Sequence, residues 1–282
     1  MPLCSEKDDR RMTDFEQMKR DCRRLRNEIV DTIHRAKSGH TGGSLSCVEI
    51  LWSLYTEILR YRPGEPDWPD RDRFVLSKGH AAPTLYHVLA DKGYYDKSLL
   101  GDFRRAGSMF QGHPDMTRVP GVEISSGSLG MGISVGVGMC LAGRLSGREY
   151  KVYVLVGDGE LDEGQNWEAM AAANKWALGH LVVIVDRNGV QLDGPTDEIM
   201  PLRDLAAKMR AFGLETTDCD GHDCEAICGA LRWASGDADG PRAVICRTVK
   251  GKGVSFMEGN YVWHGKRIGD DDYEIAKREL AE

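Results

Sequence analysis

Apolar residues along the chain follow two rhythms. Phe15, Met18, Cys22, Leu25, Ile29, Ile33 and Ala36 recur every three or four positions, which predicts one long amphipathic helix over 13–37. Thr13 and Glu16 match a capping box at its start. Further on, two unbroken apolar runs, 152–156 and 181–185, flank a helical segment. They predict a βαβ unit with parallel strands and a right-handed crossover. Shorter runs predict strands at 73–76, 215–218 and 243–247. Helices are predicted at 47–59, 82–93, 128–145, 201–212, 224–234 and from about 271 onward. Pro201 suits a first helical position, and Asp223 an N-cap. This alternation implies an α/β fold, a doubly wound and mostly parallel sheet flanked by helices. The words Ser38-Gly39-His40-Thr41-Gly42-Gly43-Ser44 and Ser77-Lys78-Gly79-His80 read as loops.

At 282 residues the chain has room for one large α/β unit. We expect a single domain over 1–282, with 1–12 a flexible N-terminus and 248–282 a C-terminal loop-and-helix extension. A net charge of −7 argues against nucleic-acid and anionic-membrane partners. The charged start, Glu6 to Arg11, is followed by no apolar signal region, which predicts a cytoplasmic protein. The most membrane-like run, 129–145, holds five glycines and ends in Arg144-Leu145. It reads as a small-residue helix packed inside a soluble domain. Eight cysteines without a C-x-x-C predict no disulfide framework. Cys219, His222, Cys224 and Cys228 are close in sequence, but their spacing fits no common zinc site.

Chemistry gathers at the strand ends. Asp158 follows the first strand of the βαβ unit and Asn188 the second, and in open α/β sheets ligands sit outside the carboxyl ends of strands. Glycines 157 and 159 permit a tight turn and close backbone approach. Glu160, Asp162 and Glu163 crowd Asp158, so a hard cation is favoured there over a bare phosphate. Four histidines, His40, His80, His113 and His264, each stand beside glycine in a loop. The loop Lys250-Gly251-Lys252-Gly253 suits an anion, and exposed amides near Gly127 suit polar groups.

Gly157-Asp158-Gly159, then 27 residues, then Arg187-Asn188 resembles the thiamine diphosphate motif, with Arg187 in place of the first of its paired asparagines. Ser-Gly-His-Thr-Gly-Gly, Leu-Ser-Lys-Gly-His-Ala, Gln-Gly-His-Pro and Trp-His-Gly, in this order around it, resemble transketolase over about 15–280. The resemblance is to the N-terminal half, as found in transketolases split into two chains. It implies the diphosphate-binding type of domain, with thiamine diphosphate and Mg²⁺ or another divalent cation as cofactors. The metal would be held by Asp158, Asn188 and the Val190 carbonyl. His80, Gly127, Gly159, Asn188 and His264 would contact the cofactor, mainly its diphosphate, with Leu129 and Val190 beside its rings. His40, His113 and His264 match histidines around the donor ketose. Glu163 matches a glutamate that links two active sites across the subunit interface. Thr41 stands where many members have proline, a change of loop stiffness rather than chemistry.

In that family a pyrimidine-binding domain supplies the glutamate that activates the cofactor, and no segment here matches it. The resemblance therefore implies a partner chain, a C-terminal subunit carrying that domain and glutamate, in a heterotetramer acting on ketose and aldose substrates. Two rival readings are the α subunit of a 2-oxoacid dehydrogenase and a non-catalytic binding module of the same fold.

Overall fold

The computed structural model describes residues 13–281. The flexible stretch expected over 1–12 lies outside the described residues. Five strands form one parallel sheet: β1 (Arg73–Leu76), β2 (Val152–Gly157), β3 (Leu181–Arg187), β4 (Glu215–Asp220) and β5 (Arg242–Arg247). Their spatial order is β1-β2-β3-β5-β4. The chain walks from β1 to β3, crosses to the edge at β4 and returns through β5.

The unbroken apolar strands are explained by burial on both faces. Tyr153, Leu155, Val182, Ile184, Val244 and Cys246 point into one core. That core is closed by α1 (Phe15–Ala36), α2 (Thr41–Leu45), α3 (Val48–Ser53), α4 (Ala82–Asp91) and, after β4, a helix whose first residue is Cys224. Alternate residues Val152, Val154, Val156, Val183, Val185, Ala243 and Ile245 point the other way. They meet α5 (Gly132–Leu145), α6 (Gly164–Lys175) and, beyond the short α7 (Thr196–Ile199), α8 (Leu205–Ala211). A Cβ on Gly136 of α5 would lie 2.7 Å from Val154 Cγ2. The small residues of α5 thus let it settle directly on β2. The helix after β4, α9 (Cys224–Ser235), has Asp223 as its cap, as expected. After β5 the chain ends its described part in α10 (Asp270–Ala281), which docks on α1. Tyr273 stacks on His34 and its hydroxyl donates to Asp31.

Several local expectations are corrected. Asp14, not Thr13, caps α1: its carboxylate accepts from Gln17 N at 2.8 Å, while the Thr13 hydroxyl donates to Glu57. The predicted 38–46 loop contains the buried helix α2. Its glycines face crowded neighbours: a Cβ on Gly42 would meet the Trp263 carbonyl at 3.0 Å, and one on Gly43 the His80 ring at 3.0 Å. Thr41 takes the first position of α2, where proline is also well accommodated. The 47–59 helix divides into α3 and a π-helical turn over Leu54–Ile58. The 201–212 helix begins only at Leu205, because Asp204 caps it by accepting from Ala207 N.

Candidate active site

The cleft lies at the carboxyl ends of β1, β2 and β3. It encloses about 150 Å³ and is lined by Lys78, His80, Leu129, Gly157, Asp158, Gly159, Glu160, Asn188, Val190, Gln191, Leu192, Lys250 and His264. The strand ends hold its charged floor. Asp186, the last-but-one residue of β3, is fully buried and pairs with the Lys78 ammonium. Ser46 and Thr248 donate hydroxyls to the same carboxylate. Burial alone would raise the Asp186 carboxyl, but Lys78 and these hydroxyls hold it below its ordinary value. Removing one partner of such a pair leaves an uncompensated buried charge. Asp186→Ala is therefore expected to lower stability by about 3–5 kcal/mol, read from urea unfolding. An unchanged midpoint would show that the pair is dispensable. Because folding depresses this pKa, the contribution is complete above the unfolded value, about 3.9, and is lost as pH falls through the folded one.

Asp158, at the end of β2, is also buried. Its carboxylate accepts from Gly159 N at 3.0 Å and from Gly189 N at 2.6 Å. The second bond draws the Asn188–Val190 turn onto Asp158. Asn188 Oδ1 accepts from Val190 N, and Asn188 Nδ2 donates to Asp186. Gly189 has φ +77°, the left-handed conformation that this turn requires. Burial first, then the neighbouring Asp186, pushes the Asp158 carboxyl up to about 6.

The expected acidic crowd around Asp158 is dispersed. Glu160 turns inward, accepting from Gly130 N, Gly157 N and the Ser77 hydroxyl. Asp162 is only partly buried and Glu163 is exposed at the start of α6. Asp158 is thus the carboxylate that presents oxygens beside Asn188 and Val190. Facing it is a cation that the anion-suited loop foreshadowed but that was not singled out: Lys250. Its ammonium donates to the Val190 carbonyl at 3.0 Å and lies 2.9 Å from His264 Nδ1. Burial and the nearby Lys78 bring Lys250 down to about 8. A lysine in a glycine-rich loop was the available signal, since Gly251 and Gly253 both need positive φ.

The four loop histidines converge although they are up to 224 positions apart (40 to 264). The His40 ring centroid lies 5.5 Å from that of His80, 5.9 Å from His113 and 5.5 Å from His264; His80 and His264 are 4.9 Å apart. Gly127, at φ +151°, lies under His113: a Cβ there would be 3.1 Å from the ring. Burial lowers all four pKa values. His40 falls to about 4, with Arg104 and His113 adding, and His264 to about 3, with Lys250 adding. His80 is held well below the ordinary range by burial and Lys78, and His113 is lowered by burial and Arg104. The imidazoles are therefore neutral at pH 7, each able to donate and accept a hydrogen bond.

Of the residues singled out from the sequence, His40, His80, His113, His264, Gly127, Leu129, Asp158, Gly159, Asn188 and Val190 come together around this cleft. Glu163 does not join them. The cysteine–histidine group is scattered. Cys219 faces Cys246, Cys224 faces Cys22, and His222 turns to Glu49. No group of three His, Cys, Asp or Glu side chains among the described residues is arranged to hold a metal.

The donor set suits a diphosphate held through a hard cation. The Asp158 carboxylate and the Asn188 amide oxygen are ligands of the kind Mg²⁺ takes, and the Val190 carbonyl, which here accepts from Lys250, would complete the set on exchanging that donor for the ion. Two buried polar atoms here lack partners: Gln191 Nε2, in the cleft lining, and Nδ1 of His40, whose ring neighbours His80 and His264.

An open parallel sheet with an oxygen-rich, lysine-bearing cleft at its strand ends is the architecture of ligand-binding α/β proteins. The chain belongs to the family described as transketolase, thiamine diphosphate binding domain, which it matches over residues 18–281. It is 42% identical over 257 residues to one subunit of an apulose-4-phosphate transketolase from Phocaeicola vulgatus, covering 91% of each chain. It is also 42% identical to the 6-deoxy-6-sulfo-D-fructose transketolase subunit SqwG of a Clostridium species, covering 91% of this chain and 93% of that one. Its fold matches transketolase from Pichia stipitis in complex with sedoheptulose-7-phosphate, with a TM-score of 0.88 at 33% identity. The match takes in 94% of this chain and 40% of that one. Transketolase from Campylobacter jejuni gives the same TM-score, 0.88, at 31% identity, with 43% of its length matched. The chain thus spans about two-fifths of these solved transketolases. No described helix is long and apolar enough to cross a membrane.

Proposed function

We propose that this chain is the diphosphate-binding subunit of a two-chain transketolase. It would move a two-carbon ketol unit from a phosphorylated or sulfonated ketose to an aldose. The observation that carries this reading is the convergence of four imidazoles with Asp158, Asn188, Val190 and Lys250 around one cleft. In this reading Mg²⁺ or a similar cation sits among Asp158, Asn188 and the Val190 carbonyl. His80, Gly127, Gly159, Lys250 and His264 hold the diphosphate. Leu129 and Val190 lie beside the rings, and His40, His113 and His264 hydrogen-bond the donor's hydroxyls. When bound, thiamine diphosphate supplies the carbanion chemistry, and the chain's own work is binding and positioning. Glu163, exposed at the start of α6, faces a second subunit and links paired sites. The chain acts in the cytoplasm as one cofactor-binding unit, with 248–282 as its extension. Its partner carries the pyrimidine domain, and two copies of each make a heterotetramer. Relatives named as transketolase subunits support the two-chain arrangement.

The test is to identify the chain that co-purifies and assay the pair on ketoses and on 2-oxoacids. Ketol transfer from a ketose is expected. Decarboxylation of 2-oxoacids alone would favour the α subunit of a dehydrogenase, and no cofactor binding by the pair would favour a non-catalytic module. The histidines divide the work. His113→Ala is expected to raise the donor KM by roughly tenfold, the scale of one lost hydrogen bond to substrate, with cofactor Kd nearly unchanged. His80→Ala is expected to do the reverse. Equal defects in both constants for both variants would count against the division.

A further inference from the structure

His222 lies outside the cleft, and the grouping with Cys219, Cys224 and Cys228 leaves it without a role. Its surroundings are specific. It sits in the turn between β4 and α9, where His222 N donates to Asp220 Oδ1 and Gly221 N donates to the Arg247 carbonyl. Gly221 is pressed against the neighbouring segment: a Cβ there would meet Thr248 Cγ2 at 2.3 Å. The imidazole is therefore held rigidly beside residues 247–249.

Its two nitrogens have opposite tasks. The Val249 N–H donates to Nε2 at 2.8 Å, so Nε2 carries no proton. The proton is then on Nδ1, which lies 3.1 Å from Glu49 Oε2. Glu49 also receives the Arg26 guanidinium at 2.5 Å, and Arg26 donates onward to the Leu45 carbonyl at 3.3 Å. Arg26 and Glu49 are almost wholly buried, at 6% and 5% exposure, so these charges depend on each other and on His222. Burial alone would raise the Glu49 carboxyl, but Arg26 and His222 hold it at about 2.

The two ends of this strut are informative. One end is Leu45, in the short helix α2 that follows His40. The other is Val249, next to Lys250. The 248–251 segment has further anchors: Thr248 N donates to the Arg187 carbonyl, the Thr248 hydroxyl to Asp186 and Gly251 N to the Gly42 carbonyl, while the Lys250 carbonyl accepts from Gly259 N. The Val249 N–H, in the Thr248–Val249 peptide one residue before Lys250, is held by the His222 side chain.

We propose that His222 is a positioning residue. Its Nε2 fixes the Thr248–Val249 peptide next to Lys250, and Glu49, held in turn by Arg26, seats the ring from the other side. The inference rests on the reading that Lys250 faces the cofactor's diphosphate. His222 touches no reacting atom, so it sets cofactor affinity rather than turnover.

The experiment uses the chain assembled with its co-purifying partner, with thiamine diphosphate and Mg²⁺ as ligands. Three substitutions are compared. His222→Gln can place an oxygen where Nε2 accepts from Val249. His222→Asn can place its amide where Nδ1 meets Glu49. His222→Ala removes both. The cofactor Kd is expected to rise about tenfold, or 1.4 kcal/mol, in His222→Ala, and to stay within about threefold of wild type in His222→Gln. His222→Asn should resemble His222→Ala. The kcat at saturating cofactor should change less than about twofold in all three. Hydrogen exchange of the Val249 amide, measured without cofactor, should accelerate in the alanine and asparagine variants only. If His222→Ala does not assemble, the glutamine–asparagine comparison alone decides. Equal Kd and equal Val249 exchange in glutamine and asparagine variants would overturn the proposal. Failure of the wild-type pair to bind the cofactor would instead overturn the reading on which it rests.

Discussion

Asp158→Ala is expected to abolish Mg²⁺-dependent binding of thiamine diphosphate. The carboxylate is the charged member of the oxygen set, held by Gly159 N and Gly189 N so that it cannot turn away. Without it the cleft keeps two ammonium groups, Lys78 and Lys250. Asp186 is already taken by Lys78, and Glu160 by Ser77 and main-chain amides. With Lys78 balanced by Asp186, the ammonium of Lys250 faces the vacated position, and no carboxylate there offers a cation a free oxygen. The loss should exceed about 100-fold in Kd, on the order of 3 kcal/mol, the scale of removing one partner from a buried ionic contact. Asn188→Ala removes a neutral oxygen and should cost about tenfold, near 1.4 kcal/mol. Titration calorimetry on the assembled enzyme reads both, and wild-type affinity in both variants would refute the metal assignment. The acidity of Asp158 adds a pH signature. Folding raises its carboxyl to about 6, so below that pH a proton occupies the group and must leave before a cation binds. Affinity for the metal should therefore weaken as pH falls through about 6, and the Asn188→Ala variant, which keeps the carboxylate, should retain that dependence.

The sheet was legible because strands buried on both faces leave unbroken apolar runs. Val152–Val156 and Leu181–Val185 have no other economical reading. The site was legible through its glycines and polar strand tips, which mark where backbone must come close to a ligand. Helix starts were less legible. Asp14 and Thr13 are both competent caps, and the choice turned on Glu57, 44 positions away, which takes the Thr13 hydroxyl. The fate of the acidic residues after Asp158 was also hidden. Glu160 turns inward because Ser77 and the amides of Gly130 and Gly157 meet it there, and only folding brings these together. The same holds for Lys250. Its sequence neighbours suggested an anion loop, but its role opposite Asp158 depends on the Val190 turn, 60 residues earlier.

The second large expectation is that residues 1–282, expressed alone with Mg²⁺ and thiamine diphosphate, transfer no ketol group. The described residues build one sheet, and in the proposed reading the cleft at its strand ends takes the diphosphate rather than the rings. Its rim is apolar and open: Leu129, Met131 and Leu192 are 36%, 43% and 60% exposed. A cofactor seated by its diphosphate would hold its rings against this rim with water on the far side. Water there screens the fixed dipoles that enzymes aim at developing charge. The proposed reading takes the activating glutamate from a partner's pyrimidine domain, and the solved transketolases extend well beyond the matched region. In that reading one partner would both cover the rim and supply that glutamate. Adding the partner chain should restore turnover from background to a measurable kcat and reduce the exposure of Leu129, Met131 and Leu192 in solvent-labelling experiments. Turnover by the isolated chain at a rate matching the pair would refute the two-chain reading, because the rim would then need no cover and the cofactor no outside glutamate.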